Sequence, residues 1–322
     1  MGKSISLVKK CKKVHFLLHY LGSLDMPTFS DNNLHNNVPQ IIISCNIKLE
    51  SKVCFALQSH CIWRKPMNGF CVGYHSDLGN THSVNQDSIF IKSFSNSEQR
   101  VLVAGLFDGM GGYSEGERVS GAAAQAVSNW ANSNKVLLFE EDVERITQSL
   151  SSELDRLNNK IRAFGKRAGI DTGTTAAILI IWKDRFLCCN VGDSRIYHIS
   201  AVKLKQITED HSLVADLVRA GLLSEEQAKT HPQKNVLTQA LGVLEKIKPS
   251  FQSDYLKAND AFLLCCDGFY HELSEDDILR LYDVDAQSSA ITQTLEKVTN
   301  LVLSRGETDN ITSILIKTTS EG

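Results

Sequence analysis

Short apolar runs rich in β-branched residues recur from about residue 70 onward, and they predict strands. The predicted strands cover residues 88–92, 101–107, 174–182, 186–191, 261–266 and 311–316. The run at 174–182 is apolar on both alternating faces, so we expect that strand to be covered on both sides. Together these runs require at least one substantial sheet.

Longer segments carry apolar residues three and four positions apart, which predicts helices. The predicted helices are 116–132, 140–166, 224–229, 275–282 and 287–304. In the longest, a core-facing stripe is formed by Val143, Ile146, Leu150, Leu154, Leu157 and Ile161. Helices follow groups of strands instead of alternating with them, so the pattern favours an α+β fold with antiparallel sheets layered against helices.

Composition narrows the class of protein. The 322 residues are 42% apolar and 22% charged, which suffices for one large domain or two small ones. The net charge of -3 does not indicate a basic surface that would bind nucleic acid. Charged residues and glycines interrupt every apolar run long before the ~18 residues of a membrane span. We therefore expect a cytoplasmic protein with no nucleic-acid partner and no transmembrane segment.

The nine cysteines form an odd number and no CxxC pair. Two adjacent pairs, Cys188–Cys189 and Cys265–Cys266, lie in strand-like apolar runs and are expected to be buried thiols in a reducing compartment. The others all lie within the first 71 residues: Cys11, Cys45, Cys54, Cys61 and Cys71. Their wide spacing favours ordinary thiols over a zinc site.

Residues 1–71 differ in composition from the rest of the chain, with a basic start and a polar stretch that contains Asn and His. We predict that they form an N-terminal extension whose role the sequence does not define. Residues 1–6 match the loose pattern for N-myristoylation, and the lysines that follow would supply a second membrane signal. A solvated basic tail is the interpretation we favour over lipid anchoring.

Aspartates recur where predicted strands begin or end. Asp87 precedes the strand at 88–92, Asp108 and Asp267 follow strands, and Asp309 lies just before the last one. Carboxylates held at neighbouring strand ends converge on one place, which suits a hard cation that takes several oxygen ligands. The carbonyl of Gly109 would add another oxygen. However, Asp-Gly is also a frequent turn signal, and either pair taken alone favours a turn.

A fifth acid, Asp193, follows the predicted strand at 186–191. The sequence from 192 to 195 fits a hairpin turn in which the aspartate caps backbone amides. We favour that structural role for Asp193.

Taken in order, the motifs of this chain resemble those of the protein phosphatase 2C family, and within it the bacterial branch. The matching residues are 76–79 with 85–87, 108–112, 173–175, 192–195, 267–268 and 309–312. The resemblance covers about residues 72–318, predicted to be the catalytic domain, and the segment at about 206–250 resembles the family's flap. It implies a four-layer αββα sandwich, two antiparallel sheets flanked by helices, with the active site at one edge.

The resemblance also implies a set of metal ligands. Asp108 would bridge two ions, the Gly109 carbonyl would bind one of them, and Asp267 with Asp309 would bind the other. Asp87 would act partly through metal-bound water. We expect Mn²⁺ or Mg²⁺ because oxygen ligands favour these ions over zinc.

A third, weaker ion is implied near Asp171, although its offset from the motif at 173–175 leaves that assignment open. Two ions ~3.5 to 4 Å apart convert a shared water to hydroxide near neutral pH and offset the charge of a transferring phosphoryl group. Asp108 and Asp267 would be catalytic in this sense. No covalent phosphoenzyme is required, so the cysteines are not candidate nucleophiles.

Two positions depart from the family's pattern. His82 stands where the family commonly has an arginine that binds the substrate phosphate, and imidazole cannot make the same bidentate contact. We predict phosphate binding and a share in catalysis for His82. Met110 stands where animal members carry a histidine, so the leaving-group proton would come from metal-bound water or from His82.

The function predicted from these residues is a metal-dependent protein serine/threonine phosphatase that attacks phosphoserine and phosphothreonine with a metal-bridging hydroxide. Its partners would be phosphorylated proteins, either a cognate Ser/Thr kinase or that kinase's substrates, and we expect a monomer. Two alternatives remain at this point: a non-catalytic regulator that binds phosphoproteins, and a phosphatase of small molecules.

Overall fold

The computed structural model describes residues 40–45, 69–111, 115–182, 184–257 and 259–319. The lipid-anchor prediction for residues 1–6 lies outside the described residues. So do the predictions for Cys11, Cys54 and Cys61 and for the side chain of Cys45. The division into an extension at 1–71 and a catalytic domain at 72–318 stays a prediction.

The described part of the chain is rich in strands. They are β1 Gln40–Cys45, β2 Phe70–Asp77, β3 Asp87–Ser95, β4 Arg100–Gly111, β5 Thr172–Thr174, β6 Ala176–Ile181, β7 Arg185–Val191, β8 Arg195–Ser200, β9 Lys203–Gln206, β10 Ser250–Tyr255, β11 Ala261–Cys265 and β12 Ile311–Thr318. The helices are α1 Glu115–Ser133, α2 Lys135–Glu140, α3 Val143–Ala168, α4 Leu213–Arg219, α5 Glu225–Lys229, α6 Asp267–Tyr270, α7 Glu275–Leu279 and α8 Ser288–Ser304, with a 3₁₀ turn at Arg280–Asp283.

The strands form two sheets. The first has the order β1-β3-β4-β6-β7-β10, with β5 paired to β4, and the second has the order β2-β12-β11-β8-β9. Every pair is antiparallel except β1 with β3, where Gln40 faces Ser88 in parallel register. One strand from the predicted extension therefore joins the first sheet.

Alternation along β3 shows how the layers are arranged. Ile89 and Ile91 belong to a core that also contains Phe262 of the second sheet, whereas Phe90 and Phe94 belong to a core shared with the helices on the other side. Successive side chains of a strand point to opposite faces, so each sheet residue is committed to one core. The predicted four-layer αββα sandwich is confirmed.

The long helix α3 has defined ends. The Asp142 side chain accepts a hydrogen bond from the amide of Arg145 at 3.1 Å, and Gly169 ends the helix in the left-handed conformation. The predicted stripe is buried from Ile146 to Ile161, while Val143 at the first turn is only partly buried. The N-cap explains why the helix starts at 143 and α2 forms a separate element.

Several elements differ from the prediction. The strand predicted at 174–182 is divided between β5 and β6 at Thr175. Strands β2, β8, β9 and β10 were not predicted, because their residues mix polar and apolar types without a clean alternation. The cysteines of the two adjacent pairs are buried and free of disulfides, as expected. None of the helices in the described ranges has both the length and the apolar character needed to cross a bilayer.

Between β9 and β10 the chain leaves the sheets in residues 207–249, which we call the flap segment and which contains α4 and α5. Its return end is fixed by Asn158 of α3, whose side chain accepts from the amide of Gly242 at 2.7 Å and donates to the carbonyl of Leu244 at 3.0 Å. Leu241 also bridges to Thr174 of β5.

Candidate active site

Two of the predicted acids lie directly opposite each other in the first sheet. Asp87 is the first residue of β3 and is the register partner of Asp108 in β4. The backbone of Asp108 is held from the other side by Thr175, whose hydroxyl accepts from the Asp108 amide at 2.9 Å and whose amide donates to the Asp108 carbonyl at 2.8 Å. The strand register therefore fixes both carboxylates at one end of the sheet.

The other two acids come from adjacent strands of the second sheet. Asp267 follows β11 and begins α6, while Asp309 lies two residues before β12. The Asp267 Oδ1 atom accepts from the amide of Gly268 at 2.7 Å. A Cβ atom at Gly268 would lie 2.3 Å from the carbonyl oxygen of Asn310, so the two loops approach too closely for any other residue.

These aspartates share one electrostatic field. Burial, together with the carboxylates of Asp309 and Asp267, raises the pKa of Asp87 to about 7. Burial also raises the pKa of Asp108 well above its usual value, and Asp87, Asp267 and Asp193 add to that increase. The pKa of Asp267 is raised by burial and by Asp309, against the opposing effect of a histidine. Carboxylates that repel one another in a buried place favour a bound cation.

Asp87 is 1% exposed, and its Oδ2 atom has no hydrogen-bond partner among the described residues. The neighbouring polar groups of Thr312 and Cys266 lower its pKa and so stabilise its charged form. The Cys266 sulfur is itself fixed, because it accepts from the Thr312 amide at 3.1 Å. Sequence reasoning gave neither residue a role, although each lies within three positions of a predicted ligand.

In the described structure the acidic side chains are not arranged as a complete set of metal ligands. Among the residues described, no group of three or more His, Cys, Asp or Glu side chains is arranged to hold a metal ion. What the described structure does contain is a buried, unpartnered carboxylate oxygen on Asp87 and a set of mutually repelling acids around it. These donors fit a hard cation in chemistry.

His82 lies on the loop between β2 and β3, and its Nε2 atom is 3.4 Å from Oδ1 of Asp309. Both side chains are about half exposed, at 47% and 49%. The loop is docked onto the segment before β12 by two further contacts: the Thr81 hydroxyl donates to the carbonyl of Thr308 at 2.7 Å, and Gly79 packs on the Asp309 carbonyl. The predicted phosphate-binding residue therefore stands beside a predicted ligand.

The side chain of Asn310 also holds the β2–β3 loop in place. Its Oδ1 atom accepts from the amide of Gln86 at 2.8 Å, and its Nδ2 atom donates to the carbonyl of Leu78 at 2.8 Å. Asn310 is 5% exposed, so these bonds are shielded from water. The loop that carries His82 is thus held at both ends by one buried amide.

The hairpin predicted around Asp193 is wrong, because β7 and β8 belong to different sheets and the turn between them crosses from one sheet to the other. Asp193 is 8% exposed, and burial together with Asp267 and Asp210 raises its pKa well above the usual value. The residue belongs to the acidic cluster that we had assigned to four others. Its place after a buried strand was the signal that could have revealed this.

Asp171, the residue predicted for a third ion, is exposed and lies just before β5. It is not among the principal causes of the pKa shifts of the buried acids. Met110 faces Gly173 of β5 in the adjoining ladder. The predicted phosphate-binding and ligand residues other than Asp171 therefore form one region at the ends of the two sheets.

The arginine of the motif at 192–195 is structural. Arg195 forks onto Asp210, with Nη2 2.7 Å and Nε 3.1 Å from Oδ2, and its guanidinium stacks 3.7 Å from the ring centroid of Tyr270. The Tyr270 hydroxyl in turn donates to the carbonyl of Asp193 at 3.1 Å. This network fixes the turn that presents Asp193.

A family model described as protein phosphatase 2C matches residues 79–310, which is most of the chain. The chain belongs to the protein phosphatase 2C family. The match includes strands of both sheets, all four of these aspartates and the flap segment. This member of the family is a serine/threonine phosphatase, as its named relatives indicate.

Protein phosphatase PhpP of Streptococcus pneumoniae is 32% identical to this phosphatase over 248 residues, which are 76% of this chain and 96% of that protein. A solved structure of the S. agalactiae serine/threonine phosphatase is 30% identical and superposes with a TM-score of 0.66, covering 77% of this chain and 98% of that one. The catalytic domain of the phosphatase PstP, solved in complex with two manganese ions, shares the fold at 23% identity and a TM-score of 0.61.

Proposed function

We propose that this member of the family is a metal-dependent phosphatase that removes phosphate from phosphoserine and phosphothreonine in proteins. The observation that carries the proposal is the buried group of Asp87, Asp108 and Asp267, whose pKa values are raised by burial and by neighbouring carboxylates, among them half-exposed Asp309. A set of acids that raise one another's pKa is unstable without a compensating positive charge. A divalent cation is the partner that such oxygen donors select.

The residues proposed to hold two Mn²⁺ or Mg²⁺ ions are the four aspartates and the carbonyl of Gly109. The orphan Oδ2 atom of Asp87 supports this assignment, and the PstP relative carries two manganese ions on the same fold. Asp171 is the residue proposed for a third ion. When bound, such ions supply an activated water and offset the charge of the phosphoryl oxygens.

The chain's own residues have separate tasks. His82 is placed to bind the substrate phosphate at the exposed rim of the site, beside Asp309. Cys266 is not a nucleophile: burial raises the pKa of its thiol well above the usual range, and the neighbouring acids raise it further. Thr312 and Cys266 instead lower the pKa of Asp87 and so stabilise its charged form.

The proposed substrates are phosphorylated proteins, namely a cognate Ser/Thr kinase or that kinase's targets, and the proposed setting is a cytoplasmic monomer. The half-exposed rim at His82 supports a substrate that reaches the site on a protein segment. A small-molecule substrate is the outcome that would replace this proposal.

The test compares phosphate release from a phosphothreonine peptide and from a nucleoside monophosphate, each with Mn²⁺ and with a chelator. The expected result is peptide hydrolysis that requires the metal and exceeds nucleotide hydrolysis by at least an order of magnitude. Asp267→Asn should abolish it, whereas Asp276→Asn, an exposed acid on α7, should leave it intact. Preference for the nucleotide, or activity that survives chelation, would refute the proposal.

A further inference from the structure

His211, at the entrance of the flap segment, is 6% exposed, and both of its ring nitrogens have partners. Nδ1 accepts the backbone amide of Gly192 at 3.2 Å, and Nε2 lies 2.9 Å from the hydroxyl of Ser250. A backbone amide can only donate, so Nδ1 must carry no proton. The ring is therefore the neutral tautomer with its proton on Nε2, which donates to Ser250.

The backbone of His211 also bonds to the Gly192 turn and, in addition, to the returning arm of the flap segment. Its amide donates to the Gly192 carbonyl at 3.0 Å, and its carbonyl accepts from the amide of Thr238 at 2.8 Å. Asn190 strengthens the junction, because its side-chain amide donates to the carbonyls of Gly192 at 3.0 Å and Glu209 at 2.9 Å. One residue thus joins the turn after β7, the outgoing arm of the flap segment and its returning arm.

The charged groups that shift the pKa of His211 most lie in the flap segment. Burial lowers the pKa of His211, and Arg219 lowers it further, while Asp216, Asp210 and Glu209 oppose the shift. The ring's hydrogen-bond partners, in the turn after β7 and on β10, are an amide and a hydroxyl, which carry no charge. The net direction keeps the imidazole neutral at pH 7, in agreement with the hydrogen-bond pattern.

The turn that His211 holds leads into the acidic cluster. Gly192 has a φ of +109°, and a Cβ atom there would lie 2.6 Å from Cγ2 of Thr175. The turn is therefore packed too closely against Thr175 for a larger residue. The next residue is Asp193, whose pKa is raised by the charge of Asp267. A shift of the Gly192 turn would move a buried carboxylate that faces the site.

The other end of the flap segment borders the site. Val243 is 53% exposed, and its Cγ2 atom would be 2.9 Å from a Cβ atom on Gly173. Gly173 is the ladder partner of Met110, two residues beyond Asp108. We expect a protein substrate with its phosphate at the aspartates to contact this apolar surface, and a small aryl phosphate to depend on it less.

We propose that neutral His211 is a positioning residue that ties the flap segment to the Gly192–Asp193 turn through its Nδ1 acceptor, and so holds the surface that binds protein substrates. This inference rests on the proposed function. Losing the Nδ1 acceptor, or adding a proton to it, loosens both arms of the flap segment together. This loosening weakens recognition of the protein substrate more than it impairs the chemistry at the aspartates.

The kinetic test compares wild type with His211→Asn, His211→Phe and Ser250→Ala, on a phosphothreonine peptide and on p-nitrophenyl phosphate. His211→Phe should raise KM for the peptide about tenfold, because one hydrogen bond to a buried amide is lost, and change KM for the aryl phosphate less than twofold. In His211→Asn the Oδ1 atom takes the place of Nδ1, so peptide KM should return to within about threefold of wild type.

The wild type gives a readout that needs no activity. Long-range ¹⁵N–¹H spectra of the imidazole should show a proton on Nε2 and none on Nδ1 at pH 7, and the Gly192 amide should exchange slowly with solvent. In Ser250→Ala the same tautomer should persist, since the Gly192 contact selects it. Below the imidazole pKa of His211, peptide KM should rise more in wild type than in His211→Asn, since any pH dependence that comes from His82 or from the phosphate is common to both proteins.

A proton on Nδ1, or equal effects of His211→Phe on both substrates, overturns the inference. Should His211→Phe fail to fold, the tautomer and the comparison of His211→Asn with Ser250→Ala still decide it. A wild type that hydrolyses no phosphopeptide defeats the proposed function, and the spectra report separately on the role of His211.

Discussion

Asp87 and Asp108 are register partners on adjacent antiparallel strands, and the charge of Asp87 raises the pKa of Asp108. Like charges at directly opposed positions destabilise a sheet. Here both are held in place by buried neighbours, so the fold keeps an unfavourable pair. Such a conflict between stability and local electrostatics is expected at a functional site.

Removing one charge of this pair should therefore stabilise the metal-free protein. We predict that Asp108→Asn raises the free energy of unfolding without metal by on the order of 1 kcal/mol, since one pKa unit corresponds to about 1.4 kcal/mol. In a domain of this size that is a rise of roughly 2–4 °C in Tm. Thermal unfolding in chelator measures it, with Asp171→Asn as the exposed control. A lower Tm for Asp108→Asn would contradict the electrostatic argument.

Gly79 supports the loop that presents His82. Its φ is +74°, and a Cβ atom would lie 2.1 Å from the Asp309 carbonyl oxygen, so Gly79→Ala must push the loop away from Asp309. Gly169→Ala is the matched control, with a φ of +68° and nothing within 4 Å of its Cβ atom. Both variants pay the backbone strain of about 1 kcal/mol.

Only Gly79→Ala should also lose phosphatase activity, by about tenfold or more, because a displacement of ~1 Å in a site is costly. Urea unfolding and peptide hydrolysis, measured side by side, separate strain from displacement. Equal activity in the two alanine variants would show that the loop does not position the site.

His82 offers a direct test of phosphate binding. An arginine at this position would fork onto a phosphate, so His82→Arg should lower KM for the phosphopeptide severalfold. His82→Gln serves as the neutral control and should raise KM. Steady-state kinetics on one peptide measure all three proteins, and identical KM values would mean that His82 does not face substrate.

Lys92 gives a pH-dependent prediction away from the site. It is 3% exposed and donates to the Ser128 carbonyl at 2.9 Å, and burial together with Lys135 lowers its pKa to about 8. The unfolded chain holds this proton to a higher pH than the folded chain does. Burying the charge therefore destabilises the fold fully below pH 8, and that destabilisation fades as pH rises toward 10.5.

Lys92→Met replaces the ammonium group with an apolar side chain of similar length. It should be more stable than wild type at pH 7, and the difference should shrink between pH 8 and 10. Urea unfolding across this range measures the difference, in which other titrating groups cancel. A difference that is constant with pH would show that Lys92 stays protonated in the fold.

The layered fold could be predicted because its evidence is local. The strands at 88–92, 101–107 and 311–316 are apolar runs, and the stripe on α3 repeats at helical spacing. Strand β10 could not be predicted: it is an edge strand of polar, partly exposed residues, and only its pairing with β7 makes it a strand. Strand formation of that kind depends on a partner far away in sequence.

The site was predictable in part for a similar reason. Asp108 follows the apolar run of β4, although the strand itself continues to Gly111, and Asp267 follows β11, so their positions could be read from the sequence without the fold. The hairpin predicted around Asp193 was wrong, because the sequence does not show that β7 and β8 lie in different sheets. His211 was missed altogether: its ring partners, Gly192 and Ser250, lie 19 and 39 positions away.

The strand-end aspartates are proposed to form a site for divalent cations. Calorimetric titration of the chelator-treated protein with Mn²⁺ tests it most directly, in wild type and in Asp108→Asn. We predict two ions per chain in wild type and loss of at least one of them in Asp108→Asn, with no change at those two sites in Asp171→Asn. If Asp108→Asn binds Mn²⁺ with the number and affinity of wild type, the aspartates are not the metal site.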